Sequence, residues 1–567
     1  MSAATYSKGR QDLTRRWRAE GWFADRTVAE ALAAGVAAHP NAKLVFGSRA
    51  RPATLTIAEV RRRGLTLASA LQRRGLGAGD VVVMQLPSWA EWAVGWYAAM
   101  HAGLVVAPVV HIYESSELGY IVANSAAKAL VTPDAWRSYD YLKRISSMGA
   151  CPSLELVVTV GERTVPGGVL WDDLVREGTE HCEPATRRPE DACLVLYTSG
   201  TTAAPKGVVH THNSFLAELG TMGQELHRGS EVVFLNGGPA GHITGALSIT
   251  RPFLDDSALV SMDAWSAEDA VELVVRHGVT HSVGAPVFLD TLLDVAERRG
   301  VRLGLREFML GAASVPPSAV ARADGAGIAG YRCYGSTEHP TVSTGHPWDP
   351  YDVRAFTDGG IIAGTSVRIV DEGGQSVPDG TEGDIHTIGP DQFAGYLDTE
   401  LNDAAFADDG WFMTGDVGRL EGSTLTITDR RKDVIIRGGE NLSSKEIEDA
   451  LARHPSVADA AVVAAPHRRL GESPCAFVVL RATATLDLAG VSEWFTELGL
   501  ARQKAPERLC VVDDLPRTPS GKVRKVELRV QLLTEAALTE AALTEAARPT
   551  IDTAVAMTST AATESRR

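Results

Sequence analysis

Short apolar runs alternate with stretches of helical spacing through the first half of the chain. Residues 27–36, TVAEALAAGV, predict a helix, and residues 58–73 predict another, with Val60, Leu65, Leu67 and Leu71 on its apolar repeat. Residues 81–86, VVVMQL, form a short β-branched run and predict a buried strand. EWAVGWYAAMHAG follows at helical spacing, and LVVAPVV follows that. This strand–helix–strand order predicts a parallel α/β layer. The order recurs at ALVTP (129–133), at LELVVTV (154–160) and at VVFLN (232–236).

After about residue 355 the texture changes. Gly and Asp become dense and the runs shorten to SVRIVDE, GDIHTIG and TLTITDR, which predicts a compact β region. From Lys432 a small α+β unit is expected, built from VIIRGGEN, the helix SSKEIEDALARH, the strand VADAAVVAA, AFVVL and a closing loop LPRTPSGKVRK. The expected organisation is α/β. A large N-terminal domain spans 1–431, with parallel-sheet layers and a β-rich subdomain. A small mobile α+β domain spans 432–532, and a tail spans 533–567. The tail repeats LTEAA at 533–537, 538–542 and 543–547. A period of five suits neither a heptad nor a solenoid. The tail is expected to be flexible, a duplicated linker without assigned function.

At 567 residues the chain exceeds what one core serves, which agrees with several domains. A net charge of −16 speaks against a general nucleic-acid or anionic-membrane binder. The six cysteines contain no CxxC pair, which disfavours a disulfide framework or a cysteine zinc site. The polar first residues lack an apolar signal-peptide core, and no run of about 18 apolar residues predicts a membrane span. A cytoplasmic protein is the expectation.

The stretch LYTSGTTAAPKGVVHTH (196–212) is the first to suggest chemistry. The apolar ACLVLY (192–197) predicts a buried strand, whose C-terminal edge is where α/β folds bind ligands. Thr198, Ser199, Gly200, Thr201 and Thr202 then offer backbone N–H groups and hydroxyls, and Lys206 adds a positive charge. By pattern alone the stretch reads equally as an anion cradle or a polar surface turn. It is not a Walker A loop, because Lys206 precedes Gly207 where that motif needs the lysine after the glycine.

Four further blocks follow in order: YGSTE (334–338), GWFMTGDVGRL (410–420), DRRKDVIIRGGENLSSKEIE (429–448) and PRTPSGKVRK (516–525). Together with YTSGTTAAPKG they resemble the adenylate-forming superfamily of acyl- and aryl-CoA synthetases, peptide-synthetase adenylation domains and luciferases. The resemblance covers about residues 20–530. The stretch TRRWRAEGWFADRTVAEAL also looks like medium-chain or alicyclic acyl-CoA ligases.

The resemblance implies a role for each block. Thr198, Ser199, Gly200, Thr201, Thr202 and Lys206 look like the family's triphosphate loop. Glu338 looks like its Mg²⁺ ligand, a fitting task for a hard carboxylate beside phosphates. Thr337 beside it would contact the α-phosphate, and Tyr334 would offer adenine an aromatic face. Asp416 resembles the acceptor of both ribose hydroxyls, and Arg430 a further ribose and phosphate contact. Lys522 resembles the catalytic lysine that bridges carboxylate and α-phosphate; the spacing of Lys525 from Ser520–Gly521 argues against it for that role. Lys432 aligns with the hinge about which the small domain turns between two half-reactions. Gly438, Gly439 and Glu440 would then enter the site, with room for a pantetheine chain. Arg332 departs from the Asn or Asp of many relatives, so adenine recognition is expected to fall to backbone near Gly311, Ala312, Ala313 and Ser314.

For the acid, His242 falls where the family places a gating aromatic or histidine. Val283, Gly284, Ala285, Pro286, Gly311, Ala312, Ala313, Gly335 and Ser336 are expected to line a pocket roomy enough for a bulky or cyclic acid. No acidic residue is placed to hold an amino group. The implied activity is acid–CoA ligation with ATP, Mg²⁺ and coenzyme A, acting on a small-molecule carboxylic acid. A homodimer is left open. The alternatives are an acyl-AMP ligase loading a carrier-protein thiol and a non-catalytic nucleotide-binding scaffold. Loss of Lys522, Glu338 or Asp416 would mark the scaffold, and all three are present.

Overall fold

In the computed structural model, which describes residues 10–198, 205–437, 440–467, 469–498, 500–519, 521–532 and 534, the run predicted at 81–86 is the strand Val81–Met84, buried on both faces. Val81 and Val83 join Val105, Ala107 and Ile121 in one apolar cluster, while Val82 and Met84 join Val106, Trp92 and Trp96 in another. A strand with two apolar faces belongs inside a parallel sheet. Its parallel neighbours are Val105–Pro108 and Ala129–Pro133, continued by Leu156–Val160 on one side and Ala192–Thr198 on the other. Lys206–Thr211 pairs antiparallel with Ala192–Thr198, and Gly395–Tyr396 pairs antiparallel with Lys206–Thr211.

A second sheet has a parallel centre of Lys43–Phe46, Ala258–Ser261, Val233–Asn236, His281–Gly284, Glu307–Leu310 and Ala329–Tyr334. The β region expected after residue 355 is not a separate sheet. Through Ser343–Thr344 and Gly360–Ile361 its antiparallel strands, Thr424–Arg430, Phe412–Glu421, Gly383–Ile388 and Ser366–Val370, continue this same hydrogen-bonded path. The sequence shows the change of texture but not this continuity, which depends on Tyr334 pairing with Ser343.

Local chemistry sets the helix starts. Thr27 caps Val28–Ala38, its hydroxyl accepting from the Glu30 N–H while the Glu30 carboxylate accepts from the Thr27 N–H at 2.7 Å. Thr56 and Glu59 do the same for Ile57–Arg73.

Beyond residue 435 the strands Ile435–Arg437, Glu440–Leu442, Val457–His467, Gly471–Leu480 and Arg508–Val511 form another sheet. Among the described residues, its apolar clusters draw on residues 435–532, with Ile435, Leu451 and Phe495 on one side and Val463, Phe477 and Leu528 on the other. No helix among the described residues is long and apolar enough to cross a membrane. Apart from Thr534, the LTEAA tail lies outside the described residues.

The fold gathers strand ends. Thr198, Gly284, Leu310 and Tyr334 each close a strand with a parallel neighbour, and the predicted site segments follow from them.

Candidate active site

Thr198 and Lys206 face each other as register partners, so both flank the connecting loop. Ser199, Gly200, Thr201 and Thr202 lie outside the described residues. The Lys206 ammonium sits 5.0 Å from the centre of the Tyr396 ring. The Tyr396 hydroxyl in turn donates to Glu338 Oε1 at 2.8 Å. Burial, then the Glu338 charge, pushes the Tyr396 phenol well above its ordinary pKa, so it remains a donor. The base of the loop is thereby tied to the carboxylate read as a metal ligand. Nothing in the local sequence FAGY (393–396) marks Tyr396 as part of the site.

The YGSTE turn is held from both sides. His210 Nε2 donates to the Thr337 carbonyl at 2.8 Å, and the Phe393 N–H donates to the Glu338 carbonyl at 2.7 Å. At Gly335 a Cβ would stand 1.9 Å from the Pro340 carbonyl oxygen, so no larger residue fits without moving backbone. The Ser336 N–H donates to the His339 carbonyl at 2.8 Å and closes the turn. Behind it lies a buried polar group. Glu218 accepts from the Thr341 hydroxyl at 2.7 Å, and His339 Nε2 lies 3.1 Å from Asp391 Oδ1. Burial first, and the Asp391 charge second, hold the Glu218 carboxyl protonated well above its ordinary pKa.

Asp416 and Arg430 are register partners on adjacent antiparallel strands. Arg430 Nε lies 2.8 Å from Asp416 Oδ1, and the Tyr334 hydroxyl donates to Asp416 Oδ2 at 2.7 Å. The three residues predicted around adenine and ribose thus form one connected group. Arg332 is not part of it. Its guanidinium is buried and bonds Asp358 at 2.7 and 3.0 Å and the Ala355 carbonyl at 3.2 Å. That side chain is occupied structurally. Gly311 follows the strand Glu307–Leu310, and Ala312 holds a left-handed φ of 63°, a strained setting for a residue with a Cβ.

Lys522 follows Arg430 by about ninety residues in the chain and comes within electrostatic reach of this group. Burial, then the charges of Arg430 and Lys432, pushes its ammonium down to about 8, while Asp416 and Asp433 oppose the shift. Its neighbour Gly521 has φ +86°, and a Cβ there would stand 2.9 Å from Ala285 Cβ and 2.9 Å from Val287 Cγ1. The loop carrying Lys522 therefore packs against the predicted acyl segment. Lys525 has a different place: it lies 2.8 Å from Glu448 and donates to the Ser444 hydroxyl at 2.9 Å. Ser520 lies outside the described residues.

Val283 and Gly284 end the strand His281–Gly284, and Ala285 caps the helix Pro286–Arg299, whose first residue is Pro286. His242 caps the helix Ile243–Asp255. Its Nε2 is buried without a hydrogen-bond partner, and burial pushes the imidazole down to about 4, leaving it neutral at neutral pH. Ala313 and Ser314 follow Ala312 in the same loop. Lys432 lies in a turn closed by the Asp433 and Val434 N–H groups on the Arg430 carbonyl, at 2.8 and 3.0 Å. Arg529 pairs with Asp433 beside it. Glu440 opposes Arg437 across a hairpin, and Gly438 and Gly439 lie outside the described residues.

Glu338, a half-buried carboxylate oriented by Tyr396, is a donor that fits a hard divalent cation.

The chain is similar to known proteins. The family described as AMP-binding enzyme matches residues 32–397, and the AMP-binding enzyme C-terminal domain matches residues 446–522. The medium-chain fatty-acid–CoA ligase of Escherichia coli is 32% identical over 91% of this chain and 92% of its own length. The salicyl-AMP ligase/salicyl-S-ArCP synthetase of Mycobacterium tuberculosis is 29% identical, covering 92% of this chain and 93% of its own. The ATP-bound crystal structure of MatB from Rhodopseudomonas palustris superposes with a TM-score of 0.78 at 28% identity, covering 87% of this chain and 96% of that one.

Proposed function

The chain belongs to the AMP-binding enzyme family, and from that premise we propose that it is an ATP-dependent acid–CoA ligase. In the first half-reaction a carboxylate oxygen attacks the α-phosphorus of ATP. The bond to the bridging oxygen of the β-phosphate breaks, pyrophosphate leaves and an acyl-adenylate forms. In the second, the sulfur of coenzyme A attacks the acyl carbon, and AMP leaves with the electron pair of the broken C–O bond.

The observation that carries this reading is the seat of the Lys522 loop: Gly521 packs on Ala285, and the charges of Arg430, Lys432 and Asp416 reach Lys522. One cation then faces both the nucleotide contacts and the acyl segment, as a bridge between two anionic reactants requires. Thr198, Lys206 and the loop between them would hold the departing phosphates. Asp416 would accept from the ribose hydroxyls, with Arg430 and Tyr334 fixing its orientation. Glu338 would hold Mg²⁺, which neutralises phosphate charge when bound. Lys432 would serve as the hinge between a domain of residues 1–431 and one of residues 432–532. Gly438, Gly439 and Glu440 would line the thiol's approach. His242, neutral, would border the acid, and the small residues Gly284, Ala285, Gly311 and Ala313 leave space for a bulky one. The free thiols of all six cysteines favour a reducing compartment, hence the cytoplasm.

A carrier-protein thiol is the competing acceptor, favoured by the relative named for salicyl-S-ArCP synthesis. A panel of carboxylic acids assayed for AMP release with and without coenzyme A separates the two. Coenzyme A is expected to raise turnover and yield an acyl-CoA. Turnover indifferent to coenzyme A but driven by a carrier protein would overturn the acceptor assignment.

A further inference from the structure

His281 and Glu307 begin two adjacent parallel strands and are register partners. They lie at the opposite end of those strands from Gly284 and Gly311, away from the nucleotide site. His227, from the segment between the helix His212–Glu225 and the strand Val233–Asn236, reaches over them. The three ligand atoms lie within 4.8 Å of one another. His227 Nε2 is 2.9 Å and His281 Nε2 is 3.5 Å from the same oxygen, Glu307 Oε1. These separations bracket the roughly 3.3 Å edge of a tetrahedron with metal–ligand bonds of about 2.0–2.1 Å.

The hydrogen bonds around the cluster orient its atoms. The Thr280 hydroxyl accepts from the Val233 N–H at 3.0 Å and donates to the Val233 carbonyl at 3.3 Å. His281 Nδ1 lies 2.7 Å from that hydroxyl, and in the tautomer in which Nδ1 is the donor, Nε2 keeps a lone pair. That Nε2 is buried, has no hydrogen-bond partner and points toward a carboxylate oxygen. In that tautomer Nε2 and Glu307 Oε1 are two electron-pair donors 3.5 Å apart, an arrangement that a cation between them relieves. In the ion-free protein a proton on Nε2 does the same and, against the upward push of burial, lowers the Glu307 pKa. The other carboxylate oxygen, Glu307 Oε2, accepts from the Tyr331 hydroxyl at 3.1 Å. An imidazole and a carboxylate each steered by a second hydrogen bond is the pattern of metal ligands. The His227 side chain is 52% exposed, so an ion can enter from solvent and keep a water ligand.

We propose that His227, His281 and Glu307 bind one divalent transition-metal ion, zinc by chemical class, at a site separate from the Mg²⁺ site of the ligase reaction. Two imidazoles and one carboxylate suit zinc, while Mg²⁺ prefers an all-oxygen shell. The ion would join the first residues of two strands whose far ends carry the acyl segment.

The test is calorimetric titration of zinc alone into the chelator-treated full chain, with excess Mg²⁺ present, for the wild type and for His227→Gln. Because His227 is half-exposed, that substitution leaves the fold intact, which circular dichroism checks. One equivalent of zinc per chain is expected in the wild type and at least tenfold weaker binding in H227Q. Cobalt in place of zinc is expected to give a tetrahedral absorption spectrum without a thiolate charge-transfer band. Absence of saturable zinc binding, equal binding by H227Q, or a thiolate band from the cysteines would each overturn the proposal.

Discussion

Gly521 lies against Ala285: a Cβ on the first would stand 2.9 Å from the Cβ of the second. This contact seats the loop of Lys522 on the helix start that follows Val283–Gly284, and the φ of +86° at Gly521 lets the loop make the turn. Gly521→Ala combines a left-handed backbone cost of about 1–2 kcal/mol with a displaced loop. Pyrophosphate exchange, which reads adenylate formation, is expected to slow about tenfold or more. Thioester formation from supplied acyl-adenylate is expected to slow less.

The ammonium of Lys522 is active in its charged form, and its pKa is pushed down to about 8 by burial and by Arg430 and Lys432. Charge is therefore full well below pH 8 and is lost as pH rises through that value. The kcat/KM for ATP in adenylate formation, which reports the free enzyme, is expected to fall tenfold per pH unit above about 8. A flat profile to pH 9.5 would exclude Lys522 as the titrating group.

Lys432→Pro leaves intact the turn's hydrogen bonds, which come from the N–H groups of Asp433 and Val434. It freezes one backbone dihedral at the hinge. The expected result is a larger loss in the thioester step than in pyrophosphate exchange; equal losses would speak against rotation about residue 432.

Glu218 is buried protonated, with a pKa raised well above its ordinary 4.5 by burial and Asp391. Folding then takes up a proton above pH 4.5, so the stability this group contributes is full below that value and lost as pH rises. Glu218→Gln keeps the shape and needs no proton. It is expected to raise Tm relative to wild type at pH 8 by about 2 °C or more, and by less at pH 5. Calorimetric scans at the two pH values check this.

Much of this was legible in the chain. Apolar runs such as VVVMQL and ALVTP gave strands because each is buried on both faces, and burial is what an unbroken β-branched run encodes. Asp416, Arg430, Lys522 and Tyr334 could be named from their blocks, and Asp416, Arg430 and Tyr334 do meet. What stayed hidden depends on contacts between distant segments. Nothing in FAGY announces that Tyr396 will reach Glu338, nor does the sequence around Arg332 announce Asp358. The packing of Gly521 on Ala285 joins residues that no local period relates. His227, His281 and Glu307 come together through strand register and one loop, and lone histidines carry no spacing signal.

The most direct test of the account is to separate the half-reactions in Lys522→Ala. Pyrophosphate exchange and thioester formation from a synthetic acyl-adenylate are measured on the same preparation. The account predicts exchange reduced by 10³-fold or more, the ~4 kcal/mol scale of a lost transition-state cation, with thioester formation within about threefold of wild type. Full exchange activity in the variant, or equal loss in both reactions, would contradict it.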